Sequence, residues 1–450
     1  MGPDRQRLEH SLRAQLVSRV FGLRDSLWVI PAVLTVMAIL LAQGLIGLDH
    51  HVWGDGPLPD RPLVFGGGVD GSRGVLSAIA SSLITVTGTV FSLTIVALQL
   101  ASGQMTPRLL RDFTGDRQVQ IVLGILVGTF TYSIVVLRVI RSADSRTAAF
   151  VPSLATTVAI ALFLVSVGAL IFFIHHVSRL IQVNIVVGRT AERSVELVGR
   201  SRDVPDGARP GLAHPSDWPA SGNLATVTSN RTGYVLAIDS NDLFAACDEA
   251  GAGIRIRCAP GAFVIAGGVL ADVRAEPVVV TRVARSVRRA VVIGNEPTGQ
   301  ADIAYPFRQI ADIALRALSP GINDPSTAMV CIDRLGQLLT TVACREPEIA
   351  VLRSAAGPGI LLLEPAPDLA TLTRTAFLQI RHYGAADIAV MAHAIRTLTT
   401  VVAVVPAEAR PVLLDEAERY VVAARRAATP EDQPVIDALV DRIDRARSSP

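Results

Sequence analysis

Apolar positions are unevenly distributed along this 450-residue chain. Four runs, at roughly 27–48, 75–100, 118–137 and 149–174, are almost continuously apolar, and beyond residue 176 no run is long enough to cross a bilayer. A hydrocarbon core about 30 Å thick needs about 20 apolar residues in a helix. The pattern therefore predicts a four-span transmembrane domain over 27–176, preceded by a basic stretch at 1–26. Residues 177–222 read as a helix continuing from the fourth span and then a linker carrying Pro205, Pro210, Pro215 and Pro219. Over 223–300 the pattern shifts to strands. Gly233–Asp239 and Gly253–Cys258 are the clearest, with Pro260-Gly261 as a turn and Gly267-Gly268 as a break. Over 301–450 helices dominate: one at Tyr305–Leu318, a second opened by Asp324-Pro325, and three or four more after Gly357-Pro358-Gly359 and the short apolar run Ile360–Leu363. The fold class expected is membrane α-helical, with four transmembrane helices, plus a cytoplasmic α+β region made of a small β-rich module followed by a helical bundle.

Composition supports the membrane reading. Half the residues are hydrophobic and the mean hydropathy is +0.43. The net charge of +2 carries no signal for a polyanionic partner. The chain has no Lys, so all 42 basic side chains are Arg. That usage fits a high-GC coding sequence, with phosphate or lipid binding by Arg as the alternative. Cys247, Cys258, Cys331 and Cys344 form no C-x-x-C pair and no cluster with His, as expected of free thiols in a reducing compartment.

Arginine also sets the expected topology. Arg5, Arg7, Arg13, Arg19 and Arg24 precede the first span, Arg108, Arg111 and Arg117 follow the second, and Arg179, Arg189, Arg193, Arg200 and Arg202 follow the fourth. The opposite loops hold fewer: Arg61 and Arg73, then Arg138, Arg141 and Arg146. The positive-inside rule places both termini in the cytoplasm of a multi-pass inner-membrane protein. The first apolar run is too long for a signal peptide and no cleavage site follows, so it is kept as a span. The Gly- and Pro-rich loop 49–74 reads as a flexible connector.

The second span departs from the others. At about 100° per residue, Ser77, Ser81, Thr85, Gly88, Ser92 and Gln99 fall within an arc of roughly 80°, interrupted by Ile95. Such a stripe is disfavoured against lipid. Two readings stand: close helix packing through small residues, or the wall of a water-filled path. No Asp, Glu or Arg lies inside a span as drawn, which argues against proton-coupled pumping. Gly124 and Gly128 form a G-x-x-x-G pair in the third span. His175-His176 ends the fourth, where pH sensing and a simple membrane-edge marker are the alternatives.

Thr106 and Pro107 start a short interfacial helix whose Arg108 and Arg111 would face headgroups or couple the two halves. Arg282, Arg285, Arg288 and Arg289 read as a solvated face or as a contact for anionic lipid. At Ser319-Pro320-Gly321-Ile322-Asn323-Asp324-Pro325, Gly321 would permit a turn, Asn323 would bond to local backbone, and Asp324 would cap the helix that Pro325 begins. The alternative has Asn323, Asp324, Ser326 and Thr327 binding a ligand or the interfacial helix at 107–116. The following helix lacks a basic reading face, which argues against nucleic acid. His382 and His393 are isolated in sequence, and no motif nominates a catalytic residue, a metal site or a cofactor.

Two segments resemble a known family. Phe91-Ser92-Leu93-Thr94 through Gln99-Leu100-Ala101-Ser102 and Thr106-Pro107-Arg108-Leu109-Leu110 form one; Ala317-Leu318-Ser319-Pro320-Gly321-Ile322-Asn323-Asp324-Pro325-Ser326-Thr327-Ala328 forms the other. Both resemble the bacterial predicted membrane proteins grouped as domain of unknown function 2254. The resemblance implies an inner-membrane location and no activity. The functional expectation is an oligomeric, channel-like conduit regulated by its cytoplasmic region. The alternatives are a non-conducting sensor or scaffold and, more remotely, a membrane-surface enzyme. The expected partners are the bilayer and further copies of the chain, with any ligand unknown.

Overall fold

The computed structural model describes residues 28–53, 65–104, 116–142, 150–180, 182–199, 204–211, 218, 222–299, 301–345, 350–355 and 357–448. The chain divides into two compact units, Met1–Val183 and Asn184–Pro450.

The first unit contains four helices long and apolar enough to span a membrane: α1 (Val29–Trp53), α2 (Gly68–Gln104), α3 (Arg117–Leu137) and α4 (Ser153–Leu180). α3 is the central helix, packed against the other three. Leu126, Tyr132 and Val136 are wholly buried on it. The glycine pair lets α1 approach closely. A Cβ at Gly124 would lie 2.5 Å from Leu34 Cδ1 and 3.2 Å from Pro31 Cα, and one at Gly128 would lie 3.4 Å from the Leu34 carbonyl oxygen. This is the small-residue contact that helices use where no hydrophobic force draws them together. On α3 and α4, the Ser166 hydroxyl donates to Thr129 Oγ1 at 3.0 Å. Met37, Leu40, Leu164 and Ile171 point outward, as lipid-facing side chains do.

Two boundaries differ from the hydropathy reading. α1 runs on past Leu48 to Trp53, and α2 starts at Gly68 rather than near 75. The end of the loop read as a flexible connector is thus helix. Hydropathy falls where a helix leaves the apolar core, but its hydrogen-bonded ladder continues. Asp70 in the first turn of α2 favours that end through the helix dipole. Arg73 fixes it further, donating to the Ile140 carbonyl at 3.0 Å and to Ser142 Oγ at 3.3 Å.

In the second unit, α5 (Val183–Gly199) is separate from α4, which ends at Leu180; a single continuous helix was expected. The β-rich part consists of β1 (Ala208–Gly211), β2 (Asn223–Thr228), β3 (Gly233–Ile238), β4 (Gly253–Ile256), β5 (Phe263–Val264), β6 (Val269–Ala275), β7 (Val291–Gly294), β8 (Val351–Ser354) and β9 (Ile360–Leu362). Two helices join it, α6 (Ser240–Ala250) and α7 (Pro277–Ala290). The strands form a six-stranded sheet in the order β1-β8-β9-β4-β6-β2 and a three-stranded sheet in the order β5-β3-β7. All pairings are antiparallel except β4 with β9. Leu243 and Phe244 of α6, Val283 and Val287 of α7, and Val227, Ile254, Leu270 and Ile293 of the strands share one core.

The sheet extends outside 223–300. β1 comes from the expected linker, and β8 and β9 from the expected helical region. Short strands inserted between helices carry no periodicity of their own, and only long-range pairing defines them.

The remaining α-helices are α8 (Ala304–Ala317), α9 (Pro325–Ala343), α10 (Leu369–Tyr383), α11 (Ile388–Val402), α12 (Arg410–Ala427) and α13 (Gln433–Ser448), the last two each preceded by a short 3-10 turn. Their core includes Phe307, Ile310, Leu335, Leu339, Phe377, Ile395, Leu413 and Tyr420. Within it Arg381 Nε donates to Glu416 Oε1 at 3.1 Å. The Tyr420 hydroxyl donates to the Phe377 carbonyl at 2.9 Å. Burial pushes the Glu416 carboxyl up, and the Arg381 charge opposes that shift.

Candidate functional site

Helix α2 presents two unlike faces. Leu76, Ile79, Ala80, Leu83, Val90, Thr94 and Ala97 are buried. Ser77, Ser81, Thr85, Gly88, Ser92 and Gln99 are all exposed. At 3.6 residues per turn the two sets are centred about 150° apart. The stripe therefore faces outward from the unit and takes no part in packing against α1, α3 or α4. Flanking it outward are Ile84, Phe91, Ile95 and Val96.

Several hydroxyls on α2 return to the helix's own carbonyls. Thr85 Oγ1 donates to Ser81 O at 3.0 Å and Thr89 Oγ1 to Thr85 O at 3.1 Å. On the inner side Thr87 and Thr94 do the same, to Leu83 O and Val90 O. This back-bonding lowers the cost of a hydroxyl away from water. Nothing lies within 4 Å of a Cβ built on Gly88, so that point of the stripe is open.

Hydropathy missed a carboxylate at one end of the bundle. Asp49 lies in the extension of α1 and is 4% exposed. Its two oxygens accept from Leu154 N at 3.2 Å and Ala155 N at 3.0 Å, in the first turn of α4. The Tyr132 hydroxyl donates to the Ala155 carbonyl at 2.8 Å. One helix thus caps another, giving partners to N–H groups that a helix start leaves open. In sequence the signal was faint: an acid one residue past the drawn span, followed by His50-His51.

At the other end Asp116 caps its own helix, accepting from Gln118 N at 2.8 Å and Val119 N at 3.2 Å. Its second oxygen lies 3.0 Å from His176 Nε2, and the His176 ring stacks on Phe172 with centroids 5.6 Å apart. The His pair at the end of span four is therefore more than an edge marker at one of its two members. His176 is buried and ties the end of α4 to the start of α3, while His175 is exposed. The interfacial segment Thr106, Pro107, Arg108 and Arg111 lies outside the described residues.

In the second unit the corner between α8 and α9 is built almost wholly from local bonds. Asp324 Oδ1 accepts from Thr327 N at 3.1 Å, and Asp324 Oδ2 accepts from the Thr327 hydroxyl at 2.6 Å. Asp324 N donates to Ala317 O at 2.8 Å, and Ile322 N and Asn323 N both donate to Ser319 O. Pro325 opens α9. The left-handed position is Asn323, with φ 48°, rather than Gly321. Asn tolerates that conformation better than other residues with a Cβ. Ser326, the other hydroxyl of the ligand-binding alternative, is exposed.

Of the thiols, Cys331 lies within the field of the Asp324 carboxylate at this corner. Cys247, Cys258 and Cys331 are buried and Cys344 is exposed, all of them unbridged. Burial pushes the Cys258 thiol up to about 11 and the Cys331 thiol up to about 12, so neither is a thiolate near neutrality. His393, isolated in sequence, lies with Nε2 2.7 Å from Asp333 Oδ1, which also accepts from the Thr397 hydroxyl at 3.1 Å. That pair is on the surface, and the hydroxyl beside it, that of Thr397, bonds to Asp333 rather than to the imidazole, which is not the order a triad needs. Among the described residues no group of three or more His, Cys, Asp or Glu is arranged to hold a metal ion.

The chain matches the family model for "Predicted membrane protein (DUF2254)" over residues 24–400. An uncharacterized protein of Mycobacterium tuberculosis is 34% identical to it over 385 residues, covering 84% of this chain and 72% of that protein. One from Mycobacterium bovis is 33% identical over 383 residues, covering the same shares. No solved structure matches the chain.

Proposed function

We propose a function for this chain, which belongs to the DUF2254 family of predicted membrane proteins: copies assemble in the bilayer around the polar face of α2, forming a channel-like conduit that the second unit regulates. The observation that carries this reading is the orientation of Ser77, Ser81, Thr85, Gly88, Ser92 and Gln99, all of them exposed on the unit they belong to. A hydroxyl-lined face turned to lipid leaves polar groups without water. A shared axis with further copies relieves that, and four spans alone make a thin bundle for enclosing a path. Between Ser77 and Gln99 the arc contains no charged side chain; the exposed Asp70, seven residues before Ser77 in the first turn of α2, continues the same arc and would give assembled copies a ring of fixed negative charge at that end. In this reading the protein sits in the inner membrane with both termini and the second unit in the cytoplasm.

A non-conducting scaffold is the second reading. It is favoured by the back-bonded hydroxyls of Thr85 and Thr89 and by the open Gly88, which together make a smooth, self-satisfied surface suited to close packing with a second copy. Single Cys replacements at Ser81, Thr85 and Ser92, in a Cys344→Ser background, separate the two. Labelling by a small water-soluble thiol reagent, with ion or solute flux in liposomes, is expected of a conduit. Disulfide cross-linking between copies, with no labelling and no flux, would assign the face to packing alone.

A further inference from the structure

The outward face of the small sheet β5-β3-β7 is apolar and uncovered among the described residues. Phe263 is 58% exposed, Ile265 63% and Val292 42%. Tyr234 pairs with Phe263 across the strands, their ring centroids 5.0 Å apart. Two loops are bonded together at one end of this face. Gly267 N donates to Ser229 O and Ser229 N to Gly268 O, each at 2.8 Å, and Ala266 N donates to Thr232 Oγ1 at 3.0 Å. The tip so formed places the exposed Ile265 beside a loop bearing the exposed Arg231. Arg288 of α7 reaches the same tip, its Nε donating to Thr228 O at 2.8 Å. Arg282 and Arg285 are also exposed on α7. Asp302, beside the Gly261 turn, is buried and paired with Arg308, so it does not cancel these charges at the surface.

We propose that this tip docks on an anionic phospholipid surface, with Phe263 and Ile265 entering the headgroup layer and Arg231 and Arg288 pairing with lipid phosphates. Apolar side chains next to exposed arginines match the two components of such a surface, a water-poor interface and negative charge. A soluble partner with an acidic groove would satisfy the arginines equally. The lipid surface is preferred because the same chain carries four helices long and apolar enough to cross a membrane, which in a bilayer would hold its second unit at high effective concentration beside it. Weak contacts per copy then suffice. The proposal is independent of whether the α2 face conducts.

The test uses the full chain in a Cys344→Ser background with Ile265→Cys labelled by an environment-sensitive fluorophore. The protein is reconstituted in nanodiscs of phosphatidylcholine alone or mixed with phosphatidylglycerol, each doped with a lipid carrying a nitroxide quencher near its headgroup. Quenching is expected in the anionic discs, with its loss at high salt and in the Arg231→Glu/Arg288→Glu variant at an unchanged melting temperature. Absence of quenching in anionic discs, or equal quenching in both disc types, would overturn the proposal. So would protection of the label that depends on protein concentration, which would give the face to a second copy.

Discussion

At the scale of single residues, the corner at Ser319–Ala328 is a capping device before it is anything else. The Thr327 hydroxyl and then its backbone N–H hold the Asp324 carboxyl below the usual carboxylate range. Losing such a cap costs about 1 kcal/mol. Asp324→Ala is expected to lower the melting temperature of the detergent-solubilised protein by roughly 2–4 °C, whereas Asp324→Asn and Asp324→Ser largely keep it, because both side chains still cap. Since the folded-state pKa is depressed, the carboxylate's contribution is fully present above the unfolded value near 3.8 and is lost as pH falls through the folded one. Wild type should therefore lose stability over that acidic range more steeply than Asp324→Asn. The same slope in both would remove Asp324 from the linkage. Asp368, held below its usual range by Thr371, keeps its own share in either case. Asn323 supplies a second residue-level prediction. Its φ of 48° makes Asn323→Gly close to neutral, while Asn323→Ala should cost about 1–2 kcal/mol by thermal or denaturant unfolding. Unchanged melting in all these variants, together with a lost cellular phenotype, would turn the corner into a binding site.

At the scale of elements, two glycines of the membrane unit should behave oppositely. Gly124 faces Leu34 and Pro31 of α1, so Gly124→Val should destabilise the unit by about 1–3 kcal/mol through overpacking. Gly88 faces open space on α2, so Gly88→Val should leave the melting temperature of one copy nearly unchanged and act only on association, read by native mass or light scattering in detergent. A Gly88→Val chain that unfolds as readily as Gly124→Val would mean the outer face of α2 is packed within a single copy.

Existence and order of the four long apolar helices were legible in the hydropathy because each apolar run reaches the length a bilayer needs. Their ends were not. Asp49 looked like the start of a loop, yet a charge next to an apolar run can be buried when a neighbouring helix start needs an acceptor. The polar stripe was legible as a pattern, but which way it faced was not, because that depends on which α2 face packs on its neighbours. In the second unit, β3, β4 and the α9 cap could be read from turn residues and alternation. α6 and the joining of β1, β8 and β9 to one sheet could not, since long-range pairing decides them.

At the scale of the whole molecule, the bonds inside the first unit constrain how the chain threads the bilayer. Asp49 near the end of α1 meets the first turn of α4, and Arg73 near the start of α2 meets the end of α3. These contacts bring the end of α1, the start of α2, the end of α3 and the start of α4 to one end of the bundle. At the other end Asp116, at the start of α3, meets His176 near the end of α4. Strict alternation of four spans produces that pairing of ends; three or five crossings in the same stretch would not. We propose the orientation of the bundle from the positive-inside rule. In sequence the segment with Arg108, Arg111 and Arg117 and the segments before α1 and after α4 are the more basic, and Arg73, from the less basic set, is engaged with the Ile140 carbonyl. Reporter fusions are therefore expected to give periplasmic signals at residues 60 and 145 and cytoplasmic signals at 110 and 450. A cytoplasmic signal at both 60 and 145 would break the alternation. A periplasmic signal at 450 would keep the bundle but invert it, and would place the second unit, with its buried thiols and its arginine-bearing tip, on the opposite membrane face.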